Sequence, residues 1–301
     1  MRIGVYGNLT LDELDRNGKP IVRPGGSALY SSLAAVSLGA RVSVFSNIGR
    51  DYPNRILSLI KSRGIDVTGV KKFEGLTTRF RISYLGDSRK LELIHPGQRL
   101  KPADRPRSLE AIHLGPVFME AGLDVLNYAR HHSPFLSLDM QGLLRTLDRD
   151  GSVRLVRRNI GPFLSKCNLV KATEEEAHVM APAAATTVAT ARRLLHKGAQ
   201  FAIITRGRSG SLLVRKDGDA LHIPSVPESK AIDLTGAGDI FIGSWLATFL
   251  ALKDPLWAGA VGAAFASLSV RGFGASKFRF AREELFRRAS WVYKNSRLVK
   301  G

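Results

Sequence analysis

The stretch AIDLTGAGDIFIGSWLATFL (231–250) joins a polar, glycine-punctuated turn directly to a long apolar segment. Its pattern is that of a helix aimed at phosphate. Gly236 and Gly238 have no side chain, so the backbone at 236–238 can turn sharply and bring several N–H groups to one anion. Phe241, Trp245 and Phe249 recur at helical spacing, with Leu246 and Leu250 beside them. A helix apolar over so much of its surface is predicted to be buried, which fixes its N-terminus and points the positive end of its dipole into a cleft. Asp239 falls in the first turn. A carboxylate there is poorly placed to grip phosphate, but well placed to accept a proton from a hydroxyl that attacks one. The alternative is that Asp233 and Asp239 only start a helix and the glycines only form a tight loop, since short glycine motifs often match by accident.

The 301 residues, 44% hydrophobic, can bury a sizeable core and suit one enzyme-sized α/β unit spanning 1–301. No apolar run of about 20 residues is present, and Met1 begins directly on a strand-like MRIGVYG, so neither a membrane span nor a signal peptide is expected. A single cysteine, Cys167, excludes an intramolecular disulfide and a Cys-rich zinc site. The cytoplasm is the expected compartment. Formal net charge is +19, which by itself suggests polyanionic partners. Yet Lys and Arg are scattered, with only short clusters at 154–158 and 279–288, and no zinc finger, RNP-like aromatic motif or basic-region heptad accompanies them. A basic solvated surface, able to steer a nucleotide, is expected in place of nucleic-acid binding.

Residues 2–7 form a buried first strand, with Asn8 and Asp12 just beyond it, where ligands collect in open α/β sheets. Asn17-Gly18 predicts a hairpin turn, giving a hairpin at about 9–23, and alternation around 86–89 predicts a second at about 77–95. Phe80, Ile82 and Tyr84 on one face would need cover, so this small sheet is expected to close on substrate or to pair with another subunit. Between the hairpins, Gly25 and Gly26 precede an apolar helix and let a ligand approach the backbone. The middle of the chain alternates strands (111–114, 134–138, 168–171) with helices (119–130, 153–164), the signal of a parallel sheet wound with helices. After the 134–138 strand, Gln141 and Arg145 offer donors and acceptors suited to a polyhydroxylated ligand, or serve equally as a capped loop with an exposed Arg. Thr173 and Glu176 have capping-box spacing. Thr205, Gly207 and Gly210 follow a short buried strand, and there is neither a P-loop string nor a first-strand dinucleotide fingerprint.

The string D-x-T-G-A-G-D-x-F at 233–241 resembles the signature of the ribokinase-like, PfkB-type carbohydrate kinases, and the glycine motif at 25–51 is similar to that family's N-terminal motif. The resemblance spans about 7–275. It implies a three-layer α/β core, a central mostly parallel sheet flanked by helices, with a small β-sheet lid that often makes a dimer contact. It implies ATP as phosphate donor, Asp239 as base, and Gly236, Ala237 and Gly238 as an anion hole. Substrate would lie at Asp12, Gly25, Gly26, Gln141, Arg145 and Asp239; nucleotide at Lys171, Thr205, Gly207, Gly210, Gly236 and Gly238, with the 272–275 loop near the adenine. Glu176 would organise Mg²⁺ through water, although Thr173 stands where the family has Asn. Some members hold a monovalent cation beside the position of Asp233. Asp139-x-Gln141-Gly142-x-x-Arg145, with Tyr30 where many sugar kinases have Asn, is similar to the myo-inositol kinase branch. The alternatives are a kinase of another sugar or a nucleoside and, outside enzymes, a kinase-like nucleotide- or nucleic-acid-binding regulatory protein. The intact Asp239 and glycine turn count against the last.

Overall fold

In the computed structural model the chain is described at every residue except 17–18, 86–87, 105–107, 230, 273–277, 279 and 300–301. The Asn17-Gly18 turn, the 86–87 hairpin tip and all of the 272–275 loop but Gly272 therefore lie outside the described residues.

Strand β1 (Arg2–Tyr6) leads into a hairpin, β2 (Thr10–Arg16) and β3 (Lys19–Gly25), then helix α1 (Ser27–Ser37). Next come β4 (Arg41–Ile48), α2 (Asn54–Ser62), β5 (Ile65–Lys72) and a second hairpin, β6 (Arg79–Leu85) and β7 (Ser88–His95). The middle of the chain runs β8 (Ala111–Leu114), α3 (Leu123–His132), β9 (Leu136–Asp139), α4 (Gln141–Leu144), β10 (Arg145–Leu147), β11 (Val153–Leu155) and α5 (Gly161–Leu164). It continues with β12 (Leu169–Thr173), α6 (Glu174–Met180), α7 (Thr187–Leu195), β13 (Phe201–Thr205), β14 (Ser211–Arg215) and β15 (Ala220–Ile223). Helices α8 (Ala237–Leu252), α9 (Pro255–Ser269) and α10 (Arg282–Asn295) and strand β16 (Arg297–Val299) complete it.

Ten strands form the main sheet in the order β16-β15-β14-β13-β12-β9-β8-β1-β4-β5. From β5 to β13 neighbours run parallel, and β14, β15 and β16 add antiparallel. Parallel strands need helices on both faces, so their sequences are apolar on both sides. On β12, Leu169 packs into one core and Val170 into the other. One face carries α3, α5, α6 and α7 through Leu126, Leu164, Ala177 and Leu194; the other carries α1, α2, α8 and α9 through Leu29, Ile60, Trp245 and Ala260. This is the three-layer arrangement expected from the alternating pattern.

The two hairpins form a separate sheet, β3-β2-β6-β7, in which β2 and β6 run parallel. Phe80 and Ile82 are buried there against Leu93 and Val117 of the same chain, so these two residues are covered without a second subunit; the Tyr84 side chain lies outside the described residues. The expected helix at 153–164 divides: Val153–Leu155 pairs with Arg145–Leu147, and only Gly161–Leu164 is helical. Gly151, at φ 81°, makes the turn that allows this pairing, and Pro162 suits the first turn of the short helix. No helix among the described residues is long and apolar enough to cross a membrane.

Candidate active site

Helix α8 starts at Gly236, whose φ of 77° is the left-handed conformation that favours glycine. The turn before it is closed by two hydrogen bonds: the Thr235 amide donates to Asp233 Oδ1 (2.9 Å) and the Ala237 amide to the Leu234 carbonyl (3.2 Å). Among the described residues, the amides of Gly236 and Gly238 have no acceptor. Behind the turn, α1 packs on α8 so closely that a Cβ on Gly236 would overlap the Tyr30 ring and one on Gly243 would overlap the Ser31 backbone. The glycine motif before α1 and the turn before α8 are thus joined by direct helix contact. Trp245, fully buried, stacks on Phe249 and donates its indole N–H to the Pro255 carbonyl (3.1 Å), which anchors the other end of the helix.

The ends of β9 and β12 bring charged groups to the same turn. Lys171 Nζ donates to Asp139 Oδ2 at 2.8 Å, and a Cβ placed on Gly238 would stand 3.0 Å from that ammonium. Burial works against the charged lysine, but Asp139, Glu176 and Asp239 outweigh it and raise its pKa. Lys171 is therefore a permanent cation facing three carboxylates. Glu176 completes a capping box with Thr173: its Oε2 accepts from the Thr173 amide (2.8 Å), and Thr173 Oγ1 accepts from the Glu176 amide (3.2 Å). Burial pushes the Glu176 carboxyl up, opposed chiefly by Lys171.

On the far side of Asp239 stands a relay of donors. Gln141 Nε2 donates to Asp239 Oδ1 at 3.5 Å, and Arg145 Nη2 donates to Gln141 Oε1 at 3.3 Å. A second Arg145 nitrogen donates to the Val117 carbonyl (2.8 Å), and the guanidinium lies 5.8 Å from the centre of the Phe80 ring. Gln141 and Arg145, separated by one helical turn, are thus held by the main sheet's loops and by the small sheet together.

Asp12 is buried near Tyr30, Asp233 and Thr235. A Cβ on Gly26, at φ 93°, would overlap the Asn8 carbonyl, so glycine is required there, and one on Gly25 would displace the Asp12 carboxylate. A cavity of about 10 Å³, room for about one water, is lined by Asp12, Tyr30, Asp233 and Thr235. Burial and then the Asp12 carboxylate push the nearby Tyr52 hydroxyl's pKa up. The 205–210 segment sits on the adjacent strand end: Thr205 pairs with Thr173, and Thr205 Oγ1 donates to the Ala172 carbonyl (3.4 Å). Gly207 and Gly210 both take positive φ. No group of three or more His, Cys, Asp or Glu able to hold a metal occurs among the described residues.

Two contributors escape the sequence reading. Asp139 stands out in the sequence only as the first residue of the 139–145 string, and its pairing with Lys171 joins residues 32 apart. Glu120, fully enclosed, accepts from the amides of Asn8 (3.2 Å), Val117 (2.7 Å) and Phe118 (2.6 Å), and so clamps the loops after β1 and β8. Its signal was available: like Asn8, it is a polar residue just beyond the carboxyl end of a central strand.

Among curated proteins, the cytidine kinase of Thermococcus kodakarensis is 28% identical over 258 residues, covering 81% of this chain and 87% of its own. Inositol 3-kinase of Arabidopsis thaliana is 25% identical over 292 residues, covering 92% and 76%. A solved ribokinase-family structure, a pyrophosphate-dependent kinase complexed with a pyrophosphate analog and myo-inositol, superposes with a TM-score of 0.81 at 22% identity, covering 95% of this chain and 99% of that one. The structural likeness establishes the ribokinase-like fold. The pfkB family carbohydrate kinase model matches residues 2–279, and the chain belongs to that family of phosphotransferases.

Proposed function

We propose that this kinase transfers the γ-phosphate of ATP to a hydroxyl of a small polyol, with myo-inositol the first candidate. The observation that carries the reading is the run Arg145–Gln141–Asp239, which ends at the amide turn beside Lys171. Asp239 takes the hydroxyl proton as the oxygen bonds to the γ-phosphorus and the bond to the β-phosphate oxygen breaks. The amides of Gly236 and Gly238, with Ala237 once it leaves Leu234, and the Lys171 ammonium face the charge on the transferring group. Asp12, Gly25 and Gly26 form one wall of the polyol site, and Gln141 and Arg145 form the other. Thr205, Gly207 and Gly210 take the nucleotide phosphates beside β12. The donor set suits Mg²⁺: Asp139 is committed to Lys171, and a magnesium ion needs only one or two carboxylates plus substrate phosphates. Glu176 would hold it through water, and it would neutralise charge on those phosphates. Asp233, at the water-sized cavity, would hold a monovalent cation.

Support for a polyol comes from two sides: the inositol 3-kinase relative, and the neighbour that binds myo-inositol. The cytidine kinase relative favours a nucleoside as the second reading. Turnover with ATP or pyrophosphate should be followed on myo-inositol, ribose, fructose and cytidine. Phosphorylation of myo-inositol, falling by about 10²–10⁴-fold in Asp239→Asn, is expected. Turnover of cytidine alone would replace the polyol reading, and turnover with pyrophosphate alone would replace ATP.

A further inference from the structure

On the face of the main sheet opposite α8, the end of α6, the end of α7 and the segment entering α5 enclose a cleft of about 530 Å³. Ile160, Met180 and Leu194 contribute apolar surface, and the rim carries Arg157, Arg158, Arg193 and Lys197. No acidic and no aromatic residue lines it. Some basic side chains of the chain find carboxylates, as Arg154 does with Asp148 and Arg271 with Glu228 and Glu284. These four do not: among the described residues, Arg158 and Arg193 donate to the backbone carbonyls of Arg145 (3.5 Å) and Ala183 (3.2 Å), and none of the four forms an ion pair.

Four unneutralised cations around one concavity repel one another and concentrate a positive field there. Guanidinium forks match phosphate oxygens in pairs, and the volume is within the range of about 300–1,000 Å³ typical of small-molecule sites. Single-stranded nucleic acid binds on aromatic stacking surfaces, which this lining lacks, and a binding test separates a duplex from a small polyphosphate. The geometry points to a second binding site, separate from the α8 turn, for a compact small molecule carrying two or more phosphate groups. Its apolar floor takes the carbon skeleton and its rim the phosphates. The segment bearing Arg157 and Arg158 is tied to the substrate side: the Val156 amide donates to the Leu144 carbonyl at 2.8 Å, next to Arg145. A bound anion thus has a short path to the Gln141–Arg145 pair.

The test uses the full chain and inorganic tripolyphosphate as probe, with binding read by titration calorimetry and hydrogen exchange in about 0.15 M salt. Wild type is expected to gain exchange protection at 157–164 and 180–197. Arg157→Ser with Arg158→Ser, and Arg193→Ser with Lys197→Ser, should each weaken that binding event by about tenfold while melting as wild type does, because all four side chains are exposed. Protection confined to 205–210 and 233–240 would overturn the proposal. So would unchanged affinity in both paired variants. Tight binding of a 20-base-pair DNA, lost in the variants, without tripolyphosphate protection at the cleft would also overturn it, in favour of a nucleic-acid surface.

Discussion

Lys171 Nζ lies 2.8 Å from Asp139 Oδ2, with side-chain exposures of 4% and 0%. Breaking such a pair from one side leaves a buried charge without a partner, which costs about 3–5 kcal/mol. Lys171→Met is therefore expected to destabilise the fold by that amount in urea unfolding. The double variant Lys171→Met with Asp139→Leu should recover much of the loss, since a packed apolar pair can replace a buried ion pair. Phosphoryl transfer should not recover with it. Recovery of turnover in the double variant would remove Lys171 from the proposed anion site.

Much of the architecture was legible because it rests on local pattern. The string at 233–241 located the turn and the buried helix, and the apolar run at 201–205 matches β13 at both ends. Residues whose roles depend on distant partners were less legible. Lys171 ends the predicted strand at 168–171, just ahead of the acidic helix start, and only the parallel pairing of β9 and β12 brings it to Asp139. Phe80 and Ile82 looked uncovered because the residue that covers them, Val117, follows a strand of the other sheet. Val153–Leu155 read as helix because three residues are too few to display a period of two.

Gly236 couples conformation to packing. Alanine there meets a left-handed φ, at about 1–2 kcal/mol, and a methyl group overlapping the Tyr30 ring, which adds about 1–3 kcal/mol of overpacking. Gly236→Ala is expected to lower the melting temperature and to lose activity beyond what the stability loss explains, because the turn's amides shift with it. Trimming Tyr30 to leucine in the same chain should restore stability more than activity. Equal recovery of both would mean that the turn's geometry does not matter to transfer.

His113 is fully buried on β8, with Nδ1 3.0 Å from Ser137 Oγ. Burial, reinforced by Lys171 and opposed by Asp139, pushes its pKa down to about 4 from 6.5. As pH falls below 6.5 the unfolded chain takes a proton on this ring, whereas the folded chain does not until about pH 4. The unfolded state binds more protons across that window, so stability contributed at neutral pH is lost progressively, in total about 3 kcal/mol. Glu120 and Glu176, raised by burial, act in the opposite sense. The informative quantity is thus the difference between wild type and His113→Gln. Unfolding free energy should fall more steeply from pH 6.5 to 4 in wild type than in the variant, and parallel curves would show that the ring takes its proton alike in the folded and unfolded chain, so that burial does not depress its pKa.

Glu120 links stability to the substrate loops. Its carboxylate accepts from three amides, and one of them belongs to Val117, whose carbonyl accepts from Arg145. Glu120→Ala strands these donors in the interior, at about 1–3 kcal/mol for an unsatisfied group, and frees the 117–118 loop. Glu120→Gln keeps the volume but turns one acceptor into a donor against backbone N–H groups. Both variants are expected to unfold at lower urea. Both should also raise KM for the acceptor more than they lower kcat, because Asp239 and the α8 turn stay in place while Arg145 loses a fixed partner. A fall in kcat with KM unchanged would mean that the loop acts on the reacting groups and not on acceptor binding.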